Sequence, residues 1–258
     1  MQFIDTHTHL YLQNFDIDRE AMLRRAFDRG TMMMLLPNID KDSLEPLLKL
    51  ADSYPGQCFP MLGLHPTSVG SDVEDQLMFL EQSFQKAEFK AVGEIGIDLY
   101  WDQTYRKEQI LAFRTQLRWA KDRSLPVAIH SRDAFPLILD LVEEEQDGRL
   151  KGVFHCFTGD KFEAERILHL NFFVGIGGVI TYKKSTLPEV LKHIPLTSIL
   201  LETDAPFLPP VPYRGKRNES AYILEIAEKL AEVKQESLET IAEITTQNAQ
   251  KLFNINAL

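Results

Sequence analysis

The sequence predicts an α/β fold of the (β/α)8 barrel type, and three observations carry that expectation. Short β-branched and apolar runs alternate with amphipathic helical stretches about every 25–35 residues, the rhythm of repeated βα units and a parallel sheet. Eight such runs fit within 258 residues, a length suited to one barrel of this kind. Six of the eight carry a His, Glu or Asp at or near their end, as expected where strand ends line an active site at one mouth of a barrel. A doubly wound open sheet is the alternative arrangement of the same units.

Taken in order, the strands are expected over Gln2–His7, Thr31–Pro37, Cys58–His65, Ala91–Asp98, Pro126–His130, Gly152–Phe157, Phe172–Ile180 and Ile199–Asp204. Amphipathic stretches between them predict helices over Asp18–Arg29, Ser43–Ser53, Val73–Ala87, Tyr105–Arg123, Asp133–Glu145 and Lys161–Leu170, with a short, weak one over Leu187–His193. Two more helices follow the last strand, over Glu219–Val233 and Ser237–Leu252. In the second, Leu238, Ile241, Ile244, Ala249 and Leu252 recur at a helical period and Ser237 is placed to cap it. No low-complexity segment or linker divides the chain, so residues 1–258 read as a single domain with extra C-terminal helices.

Composition narrows the class. The chain is 44% hydrophobic and 26% charged, enough to bury a core. A formal net charge of −10 argues against a protein that coats nucleic acid through a broad basic face. It leaves room for an enzyme acting on phosphates in one cleft, where bound divalent ions reverse the local sign. The sequence shows neither a long apolar span nor a secretory signal, so no membrane association is expected. Cys58 and Cys156 form no disulfide framework and read as small buried residues of a reduced, cytoplasmic protein.

The chemistry gathers at the strand ends. His7 and His9 close the first run, two residues apart, and in an extended strand such residues point to one side. His65 ends the third, Glu94 lies in the fourth, His130 ends the fifth, His155 lies in the sixth and Asp204 ends the eighth. His169 and His193 fall on helical stretches and read as surface or packing residues. Each polar strand end has an ordinary explanation taken singly, but charged groups converging in an apolar barrel mouth need a cation between them. His7, His9, Glu94, His130, His155 and Asp204 are too many donors for one ion with an open position, and suit two. Glu94 would bridge, with His7, His9 and Asp204 on one ion and His130 and His155 on the other. Two ions roughly 3.5–4 Å apart would activate a water and stabilise a leaving oxygen. The mixed nitrogen and oxygen set suits Zn, Mn, Ni or Fe, and Mg less readily. Glu202 would orient a ligand or water, or serve the fold. His65 and Arg132 are candidate substrate contacts. Arg214 and Lys216, in the basic run Tyr213–Asn218 after the last strand, are candidates to bind an anion.

These residues carry a family pattern. Phe3-Ile4-Asp5-Thr6-His7-Thr8-His9-Leu10, Gly63-Leu64-His65-Pro66, Gly93-Glu94-Ile95-Gly96-Ile97-Asp98, Ile129-His130-Ser131-Arg132-Asp133-Ala134, Val153-Phe154-His155-Cys156-Phe157-Thr158-Gly159, Leu201-Glu202-Thr203-Asp204-Ala205-Pro206 and Arg214-Gly215-Lys216-Arg217-Asn218 span nearly the whole chain. With them it resembles the TatD family of metal-dependent deoxyribonucleases, within the amidohydrolase-like metal hydrolases. One departure is Asn218-Glu219-Ser220, where the family usually has Asn-Glu-Pro. The resemblance implies a TIM-like barrel, a binuclear metal centre and hydrolysis of phosphodiester bonds in DNA, often 3′ to 5′ and associated with repair of damaged ends. It implies a DNA partner, single-stranded or at 3′ ends, with no membrane and no obligate protein partner. Asp204 and Glu94 are then the catalytic residues, with Asp204 as general base.

Two other function classes remain open at this point. A hydrolase of a small-molecule ester, lactone or amide could use the same binuclear barrel. The fourth strand offers Glu94 and no lysine, which counts against the cyclic-amide hydrolases that bridge their metals with a modified lysine. A metal-binding protein without catalysis is the third, and the full ligand set argues against it.

Overall fold

The βα rhythm is realised in the computed structural model, which describes residues 1–255; residues 256–258 of the expected domain lie outside the described residues. The elements run β1 (Phe3–Asp5), α1 (Arg19–Asp28), β2 (Thr31–Leu36), α2 (Leu44–Ser53), β3 (Cys58–Pro60), α3 (Val73–Ser83), β4 (Val92–Asp98), α4 (Arg106–Arg123) and β5 (Val127–Arg132). They continue α5 (Phe135–Glu145), β6 (Gly152–Phe154), α6 (Lys161–His169), β7 (Phe173–Ile176), α7 (Leu187–Leu191), β8 (Ile199–Leu201), α8 (Ile223–Lys234) and α9 (Leu238–Phe253).

Every strand pair is parallel and the strands are ordered as in the chain, β1-β2-β3 and β4-β5-β6-β7-β8. Hydrogen bonds join both seams. Leu62 bridges Val92, and the Gly93 N–H donates to the Leu62 carbonyl at 3.0 Å. At the other seam the Thr6 N–H donates to the Leu201 carbonyl at 3.1 Å. The sheet thereby returns to its first strand, a TIM-like barrel.

Period-two alternation sorts the apolar residues into two layers. Ile4, Met33, Leu35, Met61, Ala128, Val153 and Leu200 are buried together inside the cylinder. Ala249, Leu252 and Phe253 of α9 join that cluster and form its floor. The alternate residues, such as Ile97, Ile129, Phe154, Val174 and Leu201, pack outward against Leu117, Ile138, Ile167 and Ile226 of the surrounding helices. Each such fully buried side chain stabilises the fold by roughly 1.5–3 kcal/mol before entropy is counted. Ser237 caps α9 as expected, its Oγ accepting from the Thr240 N–H at 3.0 Å. Among the described residues no helix is long and apolar enough to cross a membrane.

Several bounds differ from expectation. β1, β3, β6 and β8 end earlier than their apolar runs because the site-bearing segments leave the ladder, and β7 ends at Ile176, before a 3-10 turn over Gly178–Thr181. The Thr8 N–H reaches the Leu35 carbonyl, the His9 N–H that of Ala205, and the Asp204 N–H that of His7. His7 and His9 therefore lie beyond the strand, and strand parity is not what aims them. Cys156 and Asp204 adopt left-handed backbone with φ of 46° and 57°. Cys156 is consequently half-buried and sits off β6, where parity would have turned it toward the helices. α3 stops at Ser83, and α8 starts at Ile223 after a 3-10 turn over Ser220–Tyr222.

Candidate metal centre

At the C-terminal mouth of the barrel, five imidazoles surround one buried carboxylate. Glu94 Oε2 lies 3.1 Å from His7 Nε2 and 3.6 Å from His9 Nε2. Glu94 Oε1 lies 3.0 Å from His130 Nδ1, 3.0 Å from His155 Nε2 and 3.3 Å from His65 Nε2. Asp204 Oδ1 stands 3.6 Å from His9 Nε2 and 4.0 Å from His7 Nε2. His7 and His155 stack face to face, with ring centroids 3.7 Å apart. Three overlapping groups could each hold an ion: His7, His9 and Glu94; His7, His155 and Asp204; and His65, Glu94 and His130.

The outer ring nitrogens decide what the inner ones present. The Tyr11 hydroxyl donates to the Pro37 carbonyl at 2.6 Å, so it can only accept from His9 Nδ1, 3.0 Å away. Glu202 Oε1 accepts from His155 Nδ1 at 3.1 Å, and Asp98 Oδ2 from His130 Nε2 at 3.0 Å. In their neutral forms His9, His155 and His130 therefore turn a lone pair toward Glu94. Lone pairs facing a carboxylate at 3.0–3.6 Å repel unless a cation lies between. Two donors each about 2.1 Å from one ion stand roughly 3.0–3.4 Å apart at tetrahedral or octahedral angles, so the 3.0 Å separations of His130 and His155 from Glu94 fit a divalent metal, and His9 stands slightly wider. His65 differs. Its Nδ1 accepts from the Thr67 N–H at 3.1 Å, so Nε2 carries the proton and directs a donor at the centre.

Buried charge is tuned accordingly. Burial would raise Glu94, but the surrounding imidazoles of His155, His65 and His7 hold it well below the ordinary carboxylate range. Burial disfavours the His155 imidazolium, yet Glu94 and Glu202 outweigh that and keep its pKa well above the usual value. His7 is lowered to about 4 by burial and by His155. Burial pushes Asp204 up to about 8, with Glu94 and Glu202 adding to it against His155. With His155 and Asp204 both raised, bound protons offset the buried carboxylates where no cation does so.

Asp5 ties the first and last strand ends together. Its Oδ1 accepts from the Thr203 N–H at 2.9 Å, and its Oδ2 from the hydroxyls of Thr203 and Ser220, both at 2.6 Å. Glu202 needs Gly175 beside it, because a Cβ there would stand 2.3 Å from Glu202 Oε2.

Residues 4–254 match the family model described as TatD related DNase. The chain belongs to that family. It is thus a metal-dependent hydrolase, and relatives agree across its length. A protein of Bacillus subtilis (strain 168) named uncharacterized metal-dependent hydrolase YabD is 36% identical over 253 residues, covering 98% of this chain and 99% of the relative. The 3′-5′ ssDNA/RNA exonuclease TatD of Pectobacterium parmentieri (strain WPP163) is 31% identical over 260 residues, 97% of this chain and 99% of that protein. The crystal structure of YjjV, a TatD homologue from Escherichia coli k12, superposes with a TM-score of 0.91 at 35% identity, covering 98% of both chains.

Within this TatD-family site, the structure gathers His7, His9, Glu94, His130, His155 and Asp204, and brings His65 in with them. Arg132, Arg214 and Lys216 stay outside the cluster. Arg132 lies over the Tyr100 ring with its guanidinium 3.8 Å from the centroid, and Arg214 over Tyr182 at 3.9 Å. Lys216 Nζ is 5.9 Å from the Tyr213 centroid. Sequence reasoning missed Tyr11 and Asp98. The signal for Asp98 was present, since it closes the strand that carries Glu94 at the same parity. Tyr11 follows His9 by two residues, but nothing in the sequence shows that Pro37 would take up its proton.

Proposed function

We propose that this protein hydrolyses phosphodiester bonds in DNA, removing residues from 3′ ends of single strands, with two divalent ions in the centre. The observation that carries the reading is the Glu94 carboxylate, which turns one oxygen to His7 and His9 and the other to His130 and His155. His7, His9 and Asp204 would hold one ion, His130 and His155 the other, and Glu94 both. Bound there, such ions polarise the phosphate and lower the pKa of water.

The chain's own groups do the rest. Asp204 accepts the proton of the attacking water as the new oxygen–phosphorus bond forms. Glu202, Asp98 and Tyr11 hold the imidazoles of His155, His130 and His9 in one tautomer throughout. His65 Nε2–H donates to a phosphate oxygen and steadies the charge that develops as the old phosphorus–oxygen bond breaks, and the departing sugar oxygen takes up the proton that Asp204 received. Arg132, Arg214 and Lys216 form no ion pair among the described residues and are free to meet further phosphates. The exonuclease named among the relatives supports nucleic acid as substrate.

The test is a time course on short single-stranded DNA labelled at its 5′ end. Metal-stripped protein should leave it intact. Mn or Mg added back should give a ladder shortening from the 3′ end, and Glu94→Ala should abolish the ladder. Intact DNA from protein shown to bind two ions would overturn the reading in favour of a small-molecule ester or amide.

A further inference from the structure

Tyr100 and Trp101, on the loop leaving β4, are 53% and 69% exposed, unusual for large aromatics beside a polar site. Their rings stand edge to face at 88°, with centroids 4.9 Å apart. Arg132, the last residue of β5, sits in the corner they form, its guanidinium 3.8 Å from the Tyr100 centroid and 5.1 Å from that of Trp101. In an acidic chain whose arginines are mostly paired with carboxylates, this one is held by rings and makes no ion pair among the described residues. A preorganised cation against two exposed π-faces suits a ligand that is flat on one side and anionic on the other.

The corner is registered to the metal centre through one carboxylate. Asp98 Oδ2 accepts from His130 Nε2, while Asp98 Oδ1 accepts from the Tyr100 N–H at 3.0 Å and the Trp101 N–H at 3.4 Å. Arg132 lies two residues from His130, and its carbonyl accepts from the Leu99 N–H at 3.0 Å. The aromatic corner and the imidazole that faces Glu94 are thus fixed to the two oxygens of one carboxylate.

We infer that Tyr100, Trp101 and Arg132 form a stacking subsite for one unpaired nucleobase, with Arg132 on its adjoining phosphate. The inference rests on the nucleic-acid reading above and adds to it a reason for strand preference. A base inside a duplex has both faces covered, so only a single-stranded or frayed end can offer one to Trp101. The recognition is of a π-face and tolerates any base.

The chain carries two tryptophans, Trp101 and the buried Trp119, so a base stacked on Trp101 should quench the exposed component of the emission. The experiment titrates full-length protein in chelator with a single-stranded pentanucleotide, and with the same strand made abasic at its 3′ residue. It then measures KM on the pentanucleotide with Mn supplied, for wild type, Trp101→Ala and Trp101→Phe. Loss of one stacked base corresponds to about a 5- to 150-fold rise in KM for Trp101→Ala, with Trp101→Phe recovering most of it. Quenching should occur with the intact strand and not with the abasic one. If wild type cleaves the strand but Trp101→Ala has the same KM and the intact strand causes no quenching, the stacking subsite is refuted and the nuclease reading stands. If wild type neither binds nor cleaves the strand, both fall.

Discussion

Asp98→Asn isolates the role of the groups that hold the imidazoles. Three donors converge on this carboxylate: the His130 Nε2–H on one oxygen, and the Tyr100 and Trp101 N–H groups on the other. An amide offers one oxygen, so it satisfies one side and turns an NH2 against the other. Keeping the two backbone donors makes the amide donate to His130 Nε2. The ring proton then moves to Nδ1, the atom that faces Glu94 Oε1 at 3.0 Å, and a lone pair is lost from the centre. Asp98 is 2% exposed, so water does not repair the mismatch. A hydrogen bond to a charged group contributes about 1.5–3 kcal/mol, which matches the roughly 10- to 100-fold loss of metal affinity seen when such outer partners are removed. Calorimetric titration of metal-stripped protein with Mn should show that loss for one class of site, with far-UV circular dichroism unchanged. If the amide instead serves His130, Trp101 emission should shift because its loop has lost its anchor. Wild-type affinity together with wild-type emission would refute the reasoning, since no arrangement of one amide serves all three donors.

Two further outcomes are expected. In metal-stripped protein, Asp204 is raised to about 8 and Asp5 to about 7 by burial, and His155 also lies high. The folded state then holds protons that the unfolded chain has released, so stability falls as pH rises through these values. His7, lowered to about 4, acts in the opposite direction only up to its ordinary 6.5. Thermal unfolding in chelator should therefore show a lower Tm at pH 8 than at pH 6.5, and bound metal should flatten the difference; a flat or rising Tm in chelator would contradict these shifts. Ser220→Pro should fold, because Ser220 opens a 3-10 turn and Glu219 before it is extended at φ −152° and ψ 153°. It removes the buried donor to Asp5 and should lower Tm by on the order of 5 °C, and an unchanged Tm would show that the contact contributes nothing.

That the six candidate ligands would come together was legible because each is a strongly polar residue at or near the end of an apolar run, and no local reading accounts for all of them together. The barrel was legible from the same rhythm. What escaped depends on partners distant in sequence. Ser220 departs from the family pattern at what reads as a loop junction, yet its hydroxyl bonds Asp5, 215 residues away. The tautomers of His9, His130 and His155 are set by Tyr11, Asp98 and Glu202, and only one of those had been singled out. Strand ends were overextended because an apolar run persists where the backbone turns aside to deliver its side chain, as at Asp204. His65 reads like the other histidines until Thr67 is seen to fix its proton on the inner nitrogen.

The seam between β1 and β8 also bears on how the chain is made. Thr6 bonds Leu201 across 195 residues of sequence, so a nascent chain leaves the ribosome with β1 unable to find one of its two neighbours until most of the barrel has been translated. Until then Ile4, Met33 and Leu35 have no enclosed interior to occupy, and contacts of such range form slowly. The floor arrives later still, with α9. A ribosome stalled before Leu238 would carry all six candidate ligands, from His7 to Asp204, and nothing beneath them to keep the cylinder shut.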